Sequence, residues 1–172
     1  MHIVLAIAGI ATAAYLIIIR ARNAAEITHE LMDVADDVRA AARRLGFRRN
    51  KAQHPVDAID NPNTAAATVA VAYLELHGYP TEETRQALLR SLQSALEVPL
   101  KEAEELTILG RWLMNECNGA PAAITRGSKR LYTLTKGDIG PLLTILDAIS
   151  SNPLSDQQRE ALDDIKRAFR IT

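Results

Sequence analysis

The side chains of this 172-residue chain best suited to ligating a metal or attacking an electrophile are His2, His29, His54, His77 and Cys117. No two of the histidines stand four apart and none has a neighbouring cysteine, so no local stretch supplies a zinc-type ligand set. Cys117 ends an apolar stripe, Leu100, Ala103, Leu106, Leu109, Leu113, Cys117, where a thiol packs as a small hydrophobe instead of working as a nucleophile with His77. Gly127, Gly137 and Gly140 occur singly and follow no strand pattern, which excludes a phosphate-cradling loop. The chain is therefore read as a non-enzyme, with no catalytic, cofactor or metal residues expected. What remains is positive charge. Arg43, Arg44, Arg48, Arg49 and Lys51 form an acid-free run, and Arg126, Lys129 and Arg130 a second cluster. These eight are the candidate interaction residues, for an acidic partner or a membrane surface. The plainer reading of each group is a solvated helix face or end.

Charge limits the partner. Residues 20–51 carry 8 Lys+Arg against 5 Asp+Glu, and residues 52–172 carry 12 against 16. A connector of +3 and a remainder of −4 lack the clustered cations that nucleic-acid binding needs, so no nucleic acid is expected. The single cysteine rules out an intrachain disulfide and suits a reducing compartment.

The elements that would position these residues begin with 1–19, which hold no Asp, Glu, Lys or Arg and end at Arg20. About 20 mostly apolar residues cross the hydrocarbon of a bilayer as a helix. No Lys or Arg precedes the run, unlike a cleaved signal peptide, and the arginines follow it, which places the rest of the chain on the cytoplasmic side. Residues 1–19 are thus expected to be a transmembrane anchor in contact with membrane lipid, and the protein a single-pass protein of a bacterial inner membrane.

Residues 20–46 continue as a juxtamembrane amphipathic helix, with neither Gly nor Pro between Ala21 and Leu45 and a stop at Gly46. Ile27, Leu31, Val34, Val38, Ala41 and Leu45 alternate in steps of four and three, an a/d seam. That seam, residues 27–45, either docks on the chain's own domain or pairs two copies into a homodimer. If the helix is straight, 1.5 Å per residue sets Arg43 on the order of 35 Å beyond Arg20, too far for the basic run to reach lipid easily. Residues 47–61 read as a linker by composition. Within it His54-Pro55 is similar to the start of the His-Pro-Asp signature of J-domain co-chaperones, but Val56 stands where that signature requires Asp.

Residues 62–172 are expected to be an all-α bundle of about six helices in three hairpins, opening near Pro62, Pro99 and Pro141. Ala65 to Leu76 is apolar nearly all round, the mark of a central buried helix. Thr81-Glu82-Glu83 caps the next helix, and Ser155 to Gln158 is a capping box for the last.

Asp60-Asn61-Pro62 leading into an Ala-rich helix, a turn at Gly78, then Thr81-Glu82-Glu83 and a Leu-rich helix resemble the TerB-like, tellurite-resistance helical domain, over roughly residues 57–172. The resemblance implies a bacterial all-helical bundle, one also found behind an N-terminal membrane span, and a stress-related role. Members of that family carry an Asp-Gly pair followed by an acidic residue, linked to divalent-metal binding. Here His77 stands at the Asp position and Asn118 in the second turn, and an imidazole with Glu82 or Glu83 gives too few oxygens for a hard cation. Two functions follow as expectations: a membrane-tethered module that recruits a protein partner and, as the alternative, a metal- or ligand-responsive sensor using the 77–83 turn.

Overall fold

The computed structural model describes residues 35–49 and 52–171, apart from the side chain of His77. The anchor at 1–19, the start of the juxtamembrane helix, the seam positions Ile27, Leu31 and Val34, and Lys51 lie outside the described residues. Those described are helical and contain no strand: α1 (35–44), α2 (Pro62–Leu74), α3 (Glu82–Leu96), α4 (Leu100–Glu116), α5 (Ala120–Thr135), α6 (Gly140–Ile149) and α7 (Asp156–Phe169). Short 3-10 turns occupy Pro55–Ala58 and Glu75–His77. Among the described residues no helix is long and apolar enough to cross a membrane.

The fold is organised by α2. Asn61 caps it, its side-chain oxygen accepting from the Asn63 amide at 2.8 Å, and Pro62 takes the first turn, where a missing amide costs nothing. Every residue from Thr64 to Leu74 is buried, because a sequence of Ala, Val and Thr has no polar face to offer water. A helix apolar on all sides needs neighbours on all sides. Its principal ones are α4 and α5, and both meet it through glycine. A Cβ on Gly110 would lie 3.2 Å from the Ala67 carbonyl oxygen, and one on Gly127 would lie 2.8 Å from Cγ2 of Val69. Outside this layer α3 packs on α6, and α7 on α5.

This arrangement differs from three sequential hairpins. The strongest packing joins helices distant in sequence, since the demand of α2 for cover on both flanks outweighs pairing across short loops. It also differs from a helical-repeat array, in which each unit would lean mainly on the next. Individual helix boundaries agree closely with their sequence signals. Thr81 accepts from the Thr84 amide at 3.3 Å, and Ser155 and Gln158 form the reciprocal capping box.

The described bundle reaches further upstream than residue 62, with Val38–Thr172 forming one unit. Ala41 lies in the core, and Ala42, Leu45 and Phe47 pack against it. Gly46, at φ 72°, closes α1 in a Schellman turn: the Phe47 amide bonds the Ala42 carbonyl at 2.8 Å and the Gly46 amide the Arg43 carbonyl at 3.3 Å. Of the segment 47–61, a linker by composition, the described residues 47–49 and 52–61 include packed structure. Pro55, Val56 and Ile59 are buried in the same core as α2, and Phe47 meets the Trp112 ring edge-on at 5.9 Å. Composition missed this because three apolar residues among polar ones suffice to dock a short 3-10 turn when other helices already present a surface.

Candidate functional site

Of the eight basic residues singled out in the sequence, four serve to hold the upstream segment on the bundle. Arg44 reaches Glu105 of α4 at 2.5 Å, and the Glu105 side chain is only 10% exposed. Arg49 bonds Glu116 at 3.3 Å and lies over the Trp112 ring, 5.6 Å from its centroid. Arg126 makes a bidentate pair with Asp57, at 3.0 and 2.9 Å. Arg130 donates to the Ile59 carbonyl at 2.5 Å. Arg43, Arg48 and Lys129 are exposed, and Lys51 lies outside the described residues. The strap, described at 44–49 and 52–59, is thus held from two helices: its own Arg44 and Arg49 reach α4, and Arg126 and Arg130 of α5 reach its Asp57 and Ile59. Sequence spacing could not show this, since the acidic partners are 61 to 69 residues away.

His54 completes the strap. Its Nδ1 accepts from the Val56 amide at 3.2 Å, capping the 3-10 turn, which leaves Nε2–H to donate to the Glu116 carbonyl at 3.1 Å. The hydrogen bond from Arg126 holds the Asp57 carboxyl below the usual carboxylate range, and the same bond raises Arg126. Both side chains are nearly half exposed, so the pair orients the turn more than it stabilises the fold.

Cys117 is buried, and burial pushes its thiol up. A protonated, enclosed thiol is a poor nucleophile. In the 77–83 turn, Gly78 adopts φ 94° and Tyr79 is fully exposed. Glu82 spends its oxygens locally, accepting from Gln86 at 2.9 Å and Arg85 at 3.1 Å, and these bonds hold its carboxyl below the usual carboxylate range. Among the described residues no three His, Cys, Asp or Glu side chains are grouped to hold a metal.

The concavity that sequence reasoning did not reach lies between the 3-10 turn that follows α2, the start of α5 and one face of α7. It encloses about 430 Å³, within the usual range of ligand pockets. Leu76, Ala120 and Pro121 form apolar walls above the buried Ile124 and Ala161. Among the described residues its ionisable lining groups are carboxylates: Glu75, Glu160 and Asp164. Glu75 also meets Arg111 at 2.6 Å, and Asp164 meets Arg167. The signal available in the sequence was the row Gln157, Glu160, Ala161, Asp164, which shares one face of α7 at helical spacing. The apolar floor beneath that row comes from other helices and has no local signature. A second, polar groove runs along Asp57, Arg126, Lys129 and Arg130 beside the strap.

No protein-family model, curated protein sequence or solved structure matches the chain.

Proposed function

We infer that this chain is a non-enzymatic interaction module of the TerB-like kind, tethered by residues 1–19 to the cytoplasmic face of a bacterial inner membrane, where its bundle recruits a protein partner. The observation that carries the reading is the combination of a bundle that spends Arg44, Arg49, Arg126 and Arg130 on self-assembly with an open, apolar-floored groove on its α5–α7 side. Polar groups held in internal pairs have little left for chemistry, whereas an exposed apolar concavity is what a binding module keeps. The uncharged opening stretch followed by Arg20 and Arg22 supports the tether. Tethering raises the local concentration of the module at the surface, so modest affinity for a partner suffices.

The test is fractionation of cells expressing the full chain, followed by alkaline carbonate extraction of the membranes. Retention in the carbonate pellet, with a cysteine substituted at Asp36 reacting only with reagents that enter the cytoplasm, is the expected result. Recovery of the intact chain in the soluble fraction would overturn the tethering, and labelling from the outer side would overturn the orientation.

A further inference from the structure

We propose that the groove between the 3-10 turn after α2, α5 and α7 is the docking site of a basic amphipathic helix presented by the partner protein. The inference rests on the recruitment reading above and gives it a surface and a partner chemistry.

Two properties of the groove fix the occupant. Its walls are apolar, Leu76 half-buried and Pro121 exposed, so they reward burial of aliphatic side chains. Among the described residues its ionisable lining groups are acidic, so an incoming apolar ridge flanked by Lys or Arg meets opposite charge, and an acidic ridge meets like charge. The two cations already at the rim do not close it. Arg111 is 43% exposed and Arg167 is 73% exposed, while their partners Glu75 and Asp164 are 19% and 29% exposed, so an arriving cation joins these pairs and shares their carboxylates instead of displacing the arginines. Glu160 adds a third, exposed carboxylate on the same face. A helix laid into a groove presents side chains at i, i+3 or i+4 and i+7, the pattern that can seat apolar residues against Leu76 and Ile124 while basic ones reach Glu75, Glu160 and Asp164.

The experiment uses the full chain in nanodiscs and two fluorescent peptides about four helical turns long, sharing one leucine ridge and differing only in flanking Lys or Glu. Anisotropy titration should give saturable binding of the Lys peptide, at least about tenfold tighter than the Glu peptide, a difference of about 1.4 kcal/mol. The paired substitution Gln157→Lys with Glu160→Lys, both away from the core contacts of α7, should reverse that preference. A photoreactive form of the Lys peptide should crosslink to residues of the α5–α7 groove. Equal binding of the two peptides, no saturation by about 1 mM, an unreversed preference or crosslinks confined to another face would each overturn the proposal. So would self-association of the chain abolished by the same paired substitution, which would give the groove to a second copy. Carbonate retention with no peptide binding removes this inference alone. Soluble recovery with reversible, charge-selective binding removes the tether and leaves the groove standing.

Discussion

Gly127 tests the claim that α2 dictates the packing. A methyl group added there would sit 2.8 Å from Cγ2 of Val69, closer than carbon atoms tolerate, and Val69 is wholly buried. A β-branched side chain in a helix has one strongly preferred rotamer, so Val69 cannot swing aside. Overpacking of this kind costs about 1–3 kcal/mol, while replacing a helical glycine by alanine returns about 1 kcal/mol of backbone propensity. Gly127→Ala should therefore destabilise by roughly 0–2 kcal/mol, the small net of two larger effects. Val69→Ala alone removes two methyl groups, worth about 1.6 kcal/mol by transfer, plus the cost of a cavity. Combining them places the new methyl in the vacated space, so the double variant should be about 1–3 kcal/mol more stable than the sum of the singles predicts. Urea unfolding of the full chain in a mild detergent, followed by the fluorescence of Trp112, measures this. At a slope of about 2 kcal/mol/M the coupling appears as a midpoint about 0.5–1.5 M above additivity. Additive behaviour within about 0.5 kcal/mol, or a Gly127→Ala variant stabilised by the full propensity gain, would refute the close approach of α5 to α2.

Arg44→Ala should cost about 1–3 kcal/mol, because it leaves the largely buried Glu105 carboxylate without its partner, whereas Glu105→Gln with Arg44→Ala should recover part of the loss in the same urea assay. Asp57→Asn should speed hydrogen exchange at the Val56 and Ile59 amides while changing global stability by less than about 1 kcal/mol, as suits an exposed pair. Since the folded carboxyl of Asp57 lies below its unfolded value of about 3.9, its contribution is complete above that pH and is lost as pH falls through the folded value. The Asp57→Asn chain should accordingly match the parent in strap exchange only in strong acid, and be faster above about pH 4. Cys117, its thiol raised by burial, should react with iodoacetamide at about pH 8 far more slowly in the native chain than in urea, and equal rates would contradict its place in the core.

What the sequence determined by itself was local: where helices start and stop, and which one had to be interior. Pro62, Thr81, Gly46 and the Ser155–Gln158 pair act within about four residues of themselves, and the all-apolar run of α2 has no stable place except the centre. Only the tertiary structure decided what lay across the chain. It placed α4 and α5 against α2 through two glycines, turned a linker-like stretch into a packed strap, and spent Arg44, Arg49, Arg126 and Arg130 on acceptors 61 to 71 residues distant. It also formed the groove, whose described carboxylates come from the 3-10 turn after α2 and from α7 and whose floor comes from α5 and α7. The physical reason is one of range. Capping and amphipathicity are set by neighbours along the chain, while a charge or an apolar patch acquires its role from whichever surface the core brings to it.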